Sequence, residues 1–285
     1  MLPRPLRIKL YEDVLKLRQR GLTYRNIIDE IYRVHQVRMN KSHISRWLRG
    51  LHSPYNGIHT PFLKPSENLS YIIGVVAGDG CVWRRSKPRK GYRDCLVGME
   101  VKDRDFAEEF SRRLAVVLGR EPPRPRLKKD GKWVVSVMSA VLYQLLKKPV
   151  DIRKIKPFVE YSDECIAMFL RGFFDSEGSV FKEGTIRVYN TDYRLLCYTI
   201  KLLERLGIET TKQPKLLLPA GTVHRDHTTG KLYKRRKDYY YFRISRRSNQ
   251  RFYKTIGFSI MRKKQRLEDY LRRRIQPTTP FLSSI

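Results

Sequence analysis

The pattern of apolar and polar residues divides the chain into a short helical part and a longer mixed part. Over residues 7–50 the apolar positions repeat at helical spacing in three blocks, which Gly21 and the polar stretch 39–42 separate. This pattern predicts three short helices. Residues 51–65 contain several prolines and a glycine and lose the periodicity, which is typical of a linker.

The three predicted helices have the order and spacing of a DNA-binding unit. A glycine turn between the first two helices and a serine-containing start to the third are typical of a helix-turn-helix, and the segment resembles the helix-turn-helix of resolvases and invertases. We therefore expect residues 1–50 to form a DNA-binding domain, although a small bundle that only packs on its neighbour has the same pattern. The residues expected to face a major groove are Lys41, His43 and Arg46.

A second pattern occurs twice after the linker. Each copy opens with an apolar helix that ends in an acid and a glycine. Two strands, an amphipathic helix, a second pair of strands and a last helical piece follow in both copies. The repeated order predicts an α+β fold, in which two pseudo-symmetric αββαββα domains cover residues 66–160 and 161–285.

The two apolar helices carry small residues four positions apart. Residues at that spacing share one helix face, and two faces of small residues let two helix backbones approach closely. We expect these helices to pair at the domain interface, so that Asp79 and Glu177 at their ends lie side by side. The small residues are Gly74, Gly78, Gly172 and Ser176.

That position is unfavourable for two acids, because a helix C-terminus already carries about half a negative charge. A divalent cation offsets both the helix dipole and the repulsion between Asp79 and Glu177, and oxygen ligands favour a hard ion such as Mg²⁺, with Mn²⁺ as a substitute. The main-chain carbonyls of Gly78 and Ser176 are further candidate ligands. Beside a phosphodiester, such ions activate water and stabilise the leaving oxygen, which indicates hydrolysis of a nucleic-acid backbone.

The charge of the chain indicates the same class of partner. Its 285 residues include 60 Lys and Arg but only 28 Asp and Glu, a formal net charge of +32. Such an excess indicates a polyanion. We expect nucleic acid rather than a membrane, because no apolar stretch approaches the roughly 20 residues of a spanning helix. We also expect an intracellular, cytoplasmic location with free thiols, although Cys81 and Cys95 could meet across a hairpin.

Together these motifs resemble those of the LAGLIDADG homing endonucleases of the monomeric, two-motif kind. The two motifs fall at 72–80 and 170–178, and the resemblance covers residues 66–275. It implies a monomer that cuts both strands of double-stranded DNA at a long target site. Met1 is not a splicing nucleophile and the last residues are Leu-Ser-Ser-Ile rather than His-Asn, so we expect an intron-encoded or free-standing protein rather than an intein.

The resemblance assigns roles to particular residues. In the family, the acid at the penultimate motif position binds metal, and a polar residue near the end of the strand before the amphipathic helix holds a water network. A basic residue near the last helix supports the site, for which Lys263 is a second candidate. Val101 stands where the family usually has an amide, so the two pockets need not be equivalent. The catalytic residues implied are Asp79, Glu177, Lys102, Asn190 and Lys264.

Alternation along residues 185–191 and 239–245 places arginine and tyrosine side chains on one face of the predicted sheet. A sheet with such a face can lie in a major groove, although any half-buried sheet also has a polar face. The candidate DNA contacts are Arg84, Arg85, Lys87 and Arg89 in the first copy, and Arg187, Tyr189, Thr191, Lys234, Arg235, Arg236, Tyr241 and Arg243 in the second.

Two functions other than that of an endonuclease would use the same basic surface. A non-catalytic DNA-binding regulator would use the helix-turn-helix and the sheets but has no need for Asp79 and Glu177. A maturase that helps intron RNA to fold would use the same basic surface, and the sequence hardly separates it from the nuclease.

Overall fold

The computed structural model describes residues 2–51, 54, 63–84, 95–225 and 230–275. The N-terminal part contains three helices, as the apolar spacing predicts: α1 (Arg4–Gln19), α2 (Tyr24–His35) and α3 (Lys41–Leu48). The side chains of Thr23 and Asn40 accept hydrogen bonds from backbone amides in the first turns of α2 and α3, which fixes where these helices begin. Tyr11 and Trp47 meet edge to face with ring centroids 5.2 Å apart in the core between the helices.

The first half of the mixed part is one antiparallel sheet with helices on one of its faces. Its strands run in the order β1-β2-β4-β3. The elements are α4 (Glu67–Ala77), β1 (Gly80–Arg84), β2 (Cys95–Val101), α5 (Arg104–Leu118), β3 (Arg126–Leu127), β4 (Trp133–Met138), α6 (Ala140–Leu146) and α7 (Ile152–Val159).

The second half repeats this order with one insertion. Its main sheet runs β5-β6-β10-β7, and a separate hairpin of β8 and β9 stands where the sequence pattern predicts a single pair of strands. The elements are α8 (Asp163–Glu177), β5 (Gly178–Val180), β6 (Ile186–Asn190), α9 (Tyr193–Arg205), β7 (Lys215–Leu218), β8 (Val223–Arg225), β9 (Leu232–Lys234), β10 (Tyr239–Arg243), α10 (Asn249–Thr255) and α11 (Met261–Ile275).

The apolar helices α4 and α8 pack directly against each other, which confirms the predicted interface. A Cβ atom on Gly74 would clash with the main-chain oxygen of Phe169, and one on Gly172 would clash with that of Tyr71. The other faces of both helices are buried in the cores of their own halves. Glycine is therefore required where the backbones meet.

Cys81 and Cys95 do not pair. The register of β1 and β2 sets Cys81 opposite Gly98 and Cys95 opposite Arg84, an odd offset that puts the two thiols on opposite faces of the sheet. Both cysteines are free. In the part of the chain that the structure describes, no helix combines the length and the apolar character needed to cross a membrane.

Candidate metal centre and nucleic-acid interface

The paired helices bring their two terminal acids to one place. Gly78 ends α4 against the end of α8, and a Cβ atom on it would lie 3.0 Å from Cγ of Glu177. Asp79 follows Gly78 directly and is the more exposed of the two acids. The chain therefore holds two carboxylates at adjoining helix C-termini, as the sequence predicts.

Burial makes both carboxylates hard to ionise. Burial, together with the negative charge of Asp79, raises the pKa of Glu177 to about 7, although the nearby cations of Lys148 and Lys263 act in the opposite direction. Burial also raises the pKa of Asp79, because protein atoms crowd it even though the residue reaches solvent. A bound cation would stabilise both ionised forms, so the donor set fits a divalent ion.

The donor set also indicates which kind of ion fits. Among the described residues, no group of three or more His, Cys, Asp or Glu side chains could hold a metal. Two carboxylates supplemented by main-chain oxygens suit Mg²⁺, which keeps several waters and takes further oxygens from a phosphate. The carbonyls of Gly78 and Ser176 are available at the two helix ends, although that of Gly78 already accepts a hydrogen bond of 2.8 Å from Nζ of Lys148.

Two lysine head groups stand behind the acids, that of the buried Lys263 and that of Lys148, which also reaches solvent. Nζ of Lys148 donates to the end of α4, and Nζ of Lys263 donates to the main-chain oxygens of Phe174 (3.1 Å) and Asp175 near the end of α8. Burial lowers the pKa of both ammonium groups, that of Lys263 to about 8. Each half of the molecule therefore supplies one lysine to the helix end that carries its acid.

These lysines correct the sequence analysis. Lys263 is only 6% exposed and reaches the site, whereas Lys264 is half-buried on a neighbouring face of α11 and is not among the groups that act on the acids. Lys148 was missed altogether. A match of the two copies does not indicate it, because Lys148 lies in the loop before α7 whereas Lys263 lies inside the first turn of α11.

The predicted water-network residues differ between the halves. Nδ2 of Asn190 donates a hydrogen bond of 2.9 Å to Oε1 of Glu177. Gly80 pairs with Met99 and Gly178 with Val188, so the position equivalent to Asn190 is Val101. Lys102 lies one residue later, in an exposed turn, and the structure does not bring it to the acids.

Asp175 lies two residues before Glu177 in the sequence but has a different environment. It is fully buried and accepts hydrogen bonds from the hydroxyl of Tyr71 (2.9 Å) and the amide of Ser259 (2.9 Å). Burial raises its pKa to about 6. Asp175 thus ties α8 to α4 and to the start of α11, a contact that Ala77 at the matching position of the first motif cannot make.

On α3, two of the three residues predicted to contact DNA, Lys41 and Arg46, are exposed to solvent. The ring of His43, in contrast, packs edge to face on Trp47 with centroids 4.5 Å apart, so it is half-buried rather than outward. In the first half, Arg84 is exposed with its guanidinium 4.8 Å from the ring centroid of Tyr143. Arg85, Lys87 and Arg89 lie outside the described residues.

In the second half, the predicted contacts form an array of stacked arginines and tyrosines. The ring of Tyr189 lies 5.9 Å from that of Tyr239 and 6.1 Å from that of Tyr241. Arg235 lies 4.6 Å from the ring centroid of Tyr239, and Arg187 lies 5.8 Å from that of Tyr241. The remaining predicted contacts, Thr191, Lys234, Arg236 and Arg243, are exposed.

Known proteins resemble this chain in sequence. A sequence model described as a LAGLIDADG-like domain matches residues 164–257, which include Glu177 and all of α8 except its first residue. The uncharacterized protein MJ0398 of Methanocaldococcus jannaschii is 31% identical over 93% of this chain and 93% of its own length. The chain belongs to the LAGLIDADG family. A second protein of that organism, the uncharacterized protein MJ0314, is 34% identical over 52% of this chain and 57% of its own length.

The LAGLIDADG fold is also that of a solved protein–DNA complex. The structure of I-DmoI in complex with DNA and Ca aligns with 72% of this chain and all of that chain, with a TM-score of 0.50 and 18% sequence identity. At this identity the likeness shows the fold alone. The paired helices α4 and α8 are the LAGLIDADG helices of this chain, with the motifs at 72–80 and 170–178.

Proposed function

We propose that this LAGLIDADG protein is a monomeric, site-specific DNA endonuclease that hydrolyses both strands of a long target with divalent metal ions. The main support for the proposal is the position of two closely packed acids, Asp79 and Glu177, at adjoining helix C-termini. A scaffold that only bound DNA would be more stable without them, because both acids are desolvated and the charge of Asp79 disfavours the ionised form of Glu177.

The residues of the candidate site would have different roles in hydrolysis. Asp79 and Glu177 would hold Mg²⁺ or Mn²⁺ with the carbonyl of Ser176, and the bound ion would supply an activated water and stabilise the leaving oxygen. Lys148 and Lys263 would place positive charge beside the developing negative charge on the phosphate. Asn190 would hold Glu177 in position through its amide.

The DNA would lie across the polar faces of the two sheets. Stacked arginines such as Arg187 and Arg235 are held in fixed orientations by tyrosine rings, which reduces the entropy lost on binding a phosphate or a base edge. We further propose that residues 1–50 form a helix-turn-helix domain on a linker of residues 51–65, with α3 in a major groove. The I-DmoI structure, which holds DNA and Ca, supports DNA binding by the two LAGLIDADG halves by analogy of fold.

The test is cleavage of DNA that spans the insertion point of the gene, by purified protein with Mg²⁺, Mn²⁺ or EDTA. We expect metal-dependent double-strand cuts that Asp79→Asn and Glu177→Gln each abolish while DNA binding persists. Asp130→Asn and Glu183→Gln, which change exposed acids elsewhere, are matched controls and should cut normally. Tight binding without cutting by the unaltered protein would overturn the proposal in favour of a regulator or an RNA maturase, and RNA binding would then be measured.

A further inference from the structure

The two halves meet at two equivalent junctions beside the motif helices, and these junctions differ in charge. At one, the start of α5 faces the start of α11. There both oxygens of Asp103 accept hydrogen bonds from Arg262 at 2.6 and 2.8 Å, and Asp105 accepts one of 2.6 Å from the amide of Met261. Opposite charges close this junction.

At the other junction, the start of α9 faces α6, α7 and the loop between them. The second residue of α9 is Arg194, where the second residue of α5 is Asp105. The facing loop and helix α7 carry further cations, including Lys147 and Lys154. Among the described residues at this junction, like charges face each other and no ion pair joins the two walls, and a groove of about 990 Å³ lies between the halves.

The groove is strongly cationic. Among the described residues that line it, seven are Lys or Arg and two are Asp. The two acids, Asp151 and Asp192, each accept a hydrogen bond of 3.0 Å from a backbone amide at the start of a helix, so they serve as helix caps. Lys156 pairs with Glu160 at 3.7 Å. Within the described chain, several other exposed cations of the groove have no carboxylate within 4.0 Å. The exposed cations without such a carboxylate are Lys147, Arg153, Lys154, Arg194 and Lys201.

The groove is separate from the polar faces of the sheets. All of its lining residues belong to α6, α7, α9 or the loops next to them, and none belongs to a strand. A duplex that lies on the sheets would therefore leave these cations uncovered. The two surfaces approach each other at Lys148, which lines the groove and also donates to the end of α4.

An aromatic ring stands at the wall of the groove. Tyr193, the first residue of α9, is 39% exposed, and its ring is braced edge to face against Tyr240 with centroids 5.1 Å apart. Apolar side chains such as Leu145 and Val150 lie among the lysines. Cations that can follow a phosphate backbone, next to a fixed ring on which a base can stack, are typical of sites for single-stranded nucleic acid.

We propose that this groove binds single-stranded nucleic acid, RNA or DNA, at the same time as the sheets bind duplex DNA. The phosphodiester backbone would contact Lys154 on one wall and Lys201 on the other, and a base would stack on Tyr193. This function is separate from strand cleavage and needs no metal ion.

The test measures a ternary complex in EDTA, so that no cleavage occurs. Fluorescent single strands of about 20 nucleotides, one of RNA and one of DNA with the same sequence, are titrated with protein that is already saturated with unlabelled duplex. We expect both the unaltered protein and the control Lys9→Glu/Lys254→Glu to bind the strand. Lys154→Glu/Lys201→Glu should bind at least about tenfold more weakly, with a log–log salt slope smaller by about 1.4 for two lost phosphate contacts.

The ring has its own pair of variants. Tyr193→Ala should weaken binding of the single strand by about tenfold, whereas Tyr193→Phe keeps the stacking surface and should bind normally. All the substituted side chains are exposed, so thermal unfolding should show that each variant folds. Binding of only the RNA or only the DNA would support the proposal and identify the ligand. Displacement of the strand by the duplex, or equal losses in the groove and control variants, would overturn it.

Discussion

The side-chain amide of Asn190 donates to Glu177 across 2.9 Å, and the equivalent residue in the first half, Val101, has no group that could do the same for Asp79. The amide oxygen of Asn190 also accepts from the backbone of Asp192, which fixes the orientation of the amide. Glu177 is therefore held in one position by a hydrogen bond that Asp79 lacks. The two halves of the site are chemically different.

This difference predicts that the two DNA strands are cut at different rates. Asn190→Ala should slow the cleavage that depends on Glu177 by about tenfold to a hundredfold, because it frees that carboxylate to leave its position. Gel separation of supercoiled, nicked and linear plasmid would measure it, and nicked circles should accumulate. Gln250→Ala, which removes an exposed amide elsewhere, should leave the pattern unchanged. Equal slowing of both strands would contradict the assignment of Asn190 to one pocket.

Glu177 should also make the metal-free protein less stable as the pH rises. Its pKa is raised to about 7 in the folded state, so the folded form binds the proton more tightly than the unfolded form, and stability falls between about pH 4.5 and 7. Glu177→Gln should raise the free energy of unfolding by on the order of 1–3 kcal/mol at pH 8 and have little effect at pH 4. Thermal unfolding in EDTA at both pH values measures this effect, with Glu183→Gln as the control. An equal shift at both pH values would contradict it.

The parts of the site that the sequence predicts are those encoded locally. Asp79 and Glu177 end apolar helices whose small residues recur every fourth position, and this pattern is enough to place both acids at one interface. The register of the strands follows from the same repeat, and it identifies Asn190 once the two copies are aligned.

The remaining site residues depend on tertiary structure. Lys148 lies 69 positions after Asp79, and no local pattern indicates that its ammonium group turns back to the end of α4. Adjacent residues of a helix point about 100° apart, so Lys263 and Lys264 cannot be distinguished until the packed face of α11 is known. The half-buried position of His43 likewise results from its contact with Trp47.

The glycine contacts between the motif helices predict a large loss of stability on substitution. Gly74→Ala or Gly172→Ala would push a methyl group into the main chain of the opposite helix, which cannot move aside as a side chain can. Each should cost at least about 2 kcal/mol and lower the melting temperature by several degrees. Val116→Ala, on the exposed face of α5, should change it little. If both glycine variants had the melting temperature of the unaltered protein in a calorimeter, the two helices could move apart at little cost in free energy.

We expect the N-terminal helices to contribute to the binding of duplex DNA but not to its cleavage. If α3 lies in a major groove, Lys41→Ala/Arg46→Ala should weaken binding of duplex DNA and reduce the log–log salt slope by about 1.8, the value for two lost phosphate contacts. The rate of cleavage at saturating enzyme should not change, because neither side chain is part of the candidate metal centre. The control is Lys254→Ala, which removes an exposed positive charge on α10. An unchanged slope would show that α3 does not touch DNA.

Lys263 and Lys264 provide the sharpest comparison, because they are chemically identical neighbours of which only one reaches the site. Lys263→Met should lower the cleavage rate at saturating metal by about a hundredfold or more, since under the proposed function it removes a cation that would lie beside the scissile phosphate. Lys264→Met should change that rate by less than about threefold, because its ammonium group is not among those that act on the acids. Single-turnover cleavage separates this effect from DNA binding.

The removal of Lys263 has a second consequence that a purely structural role would not produce. Its positive charge opposes the rise in the pKa of Glu177, so Lys263→Met should raise that pKa and move the pH dependence of cleavage upward. Lys263→Arg retains the charge and should restore only part of the rate, because its larger, planar head group differs in shape from the compact ammonium that donates to both carbonyls. A pH–rate profile of Lys263→Met that coincided with that of the unaltered protein would exclude an electrostatic role for this lysine.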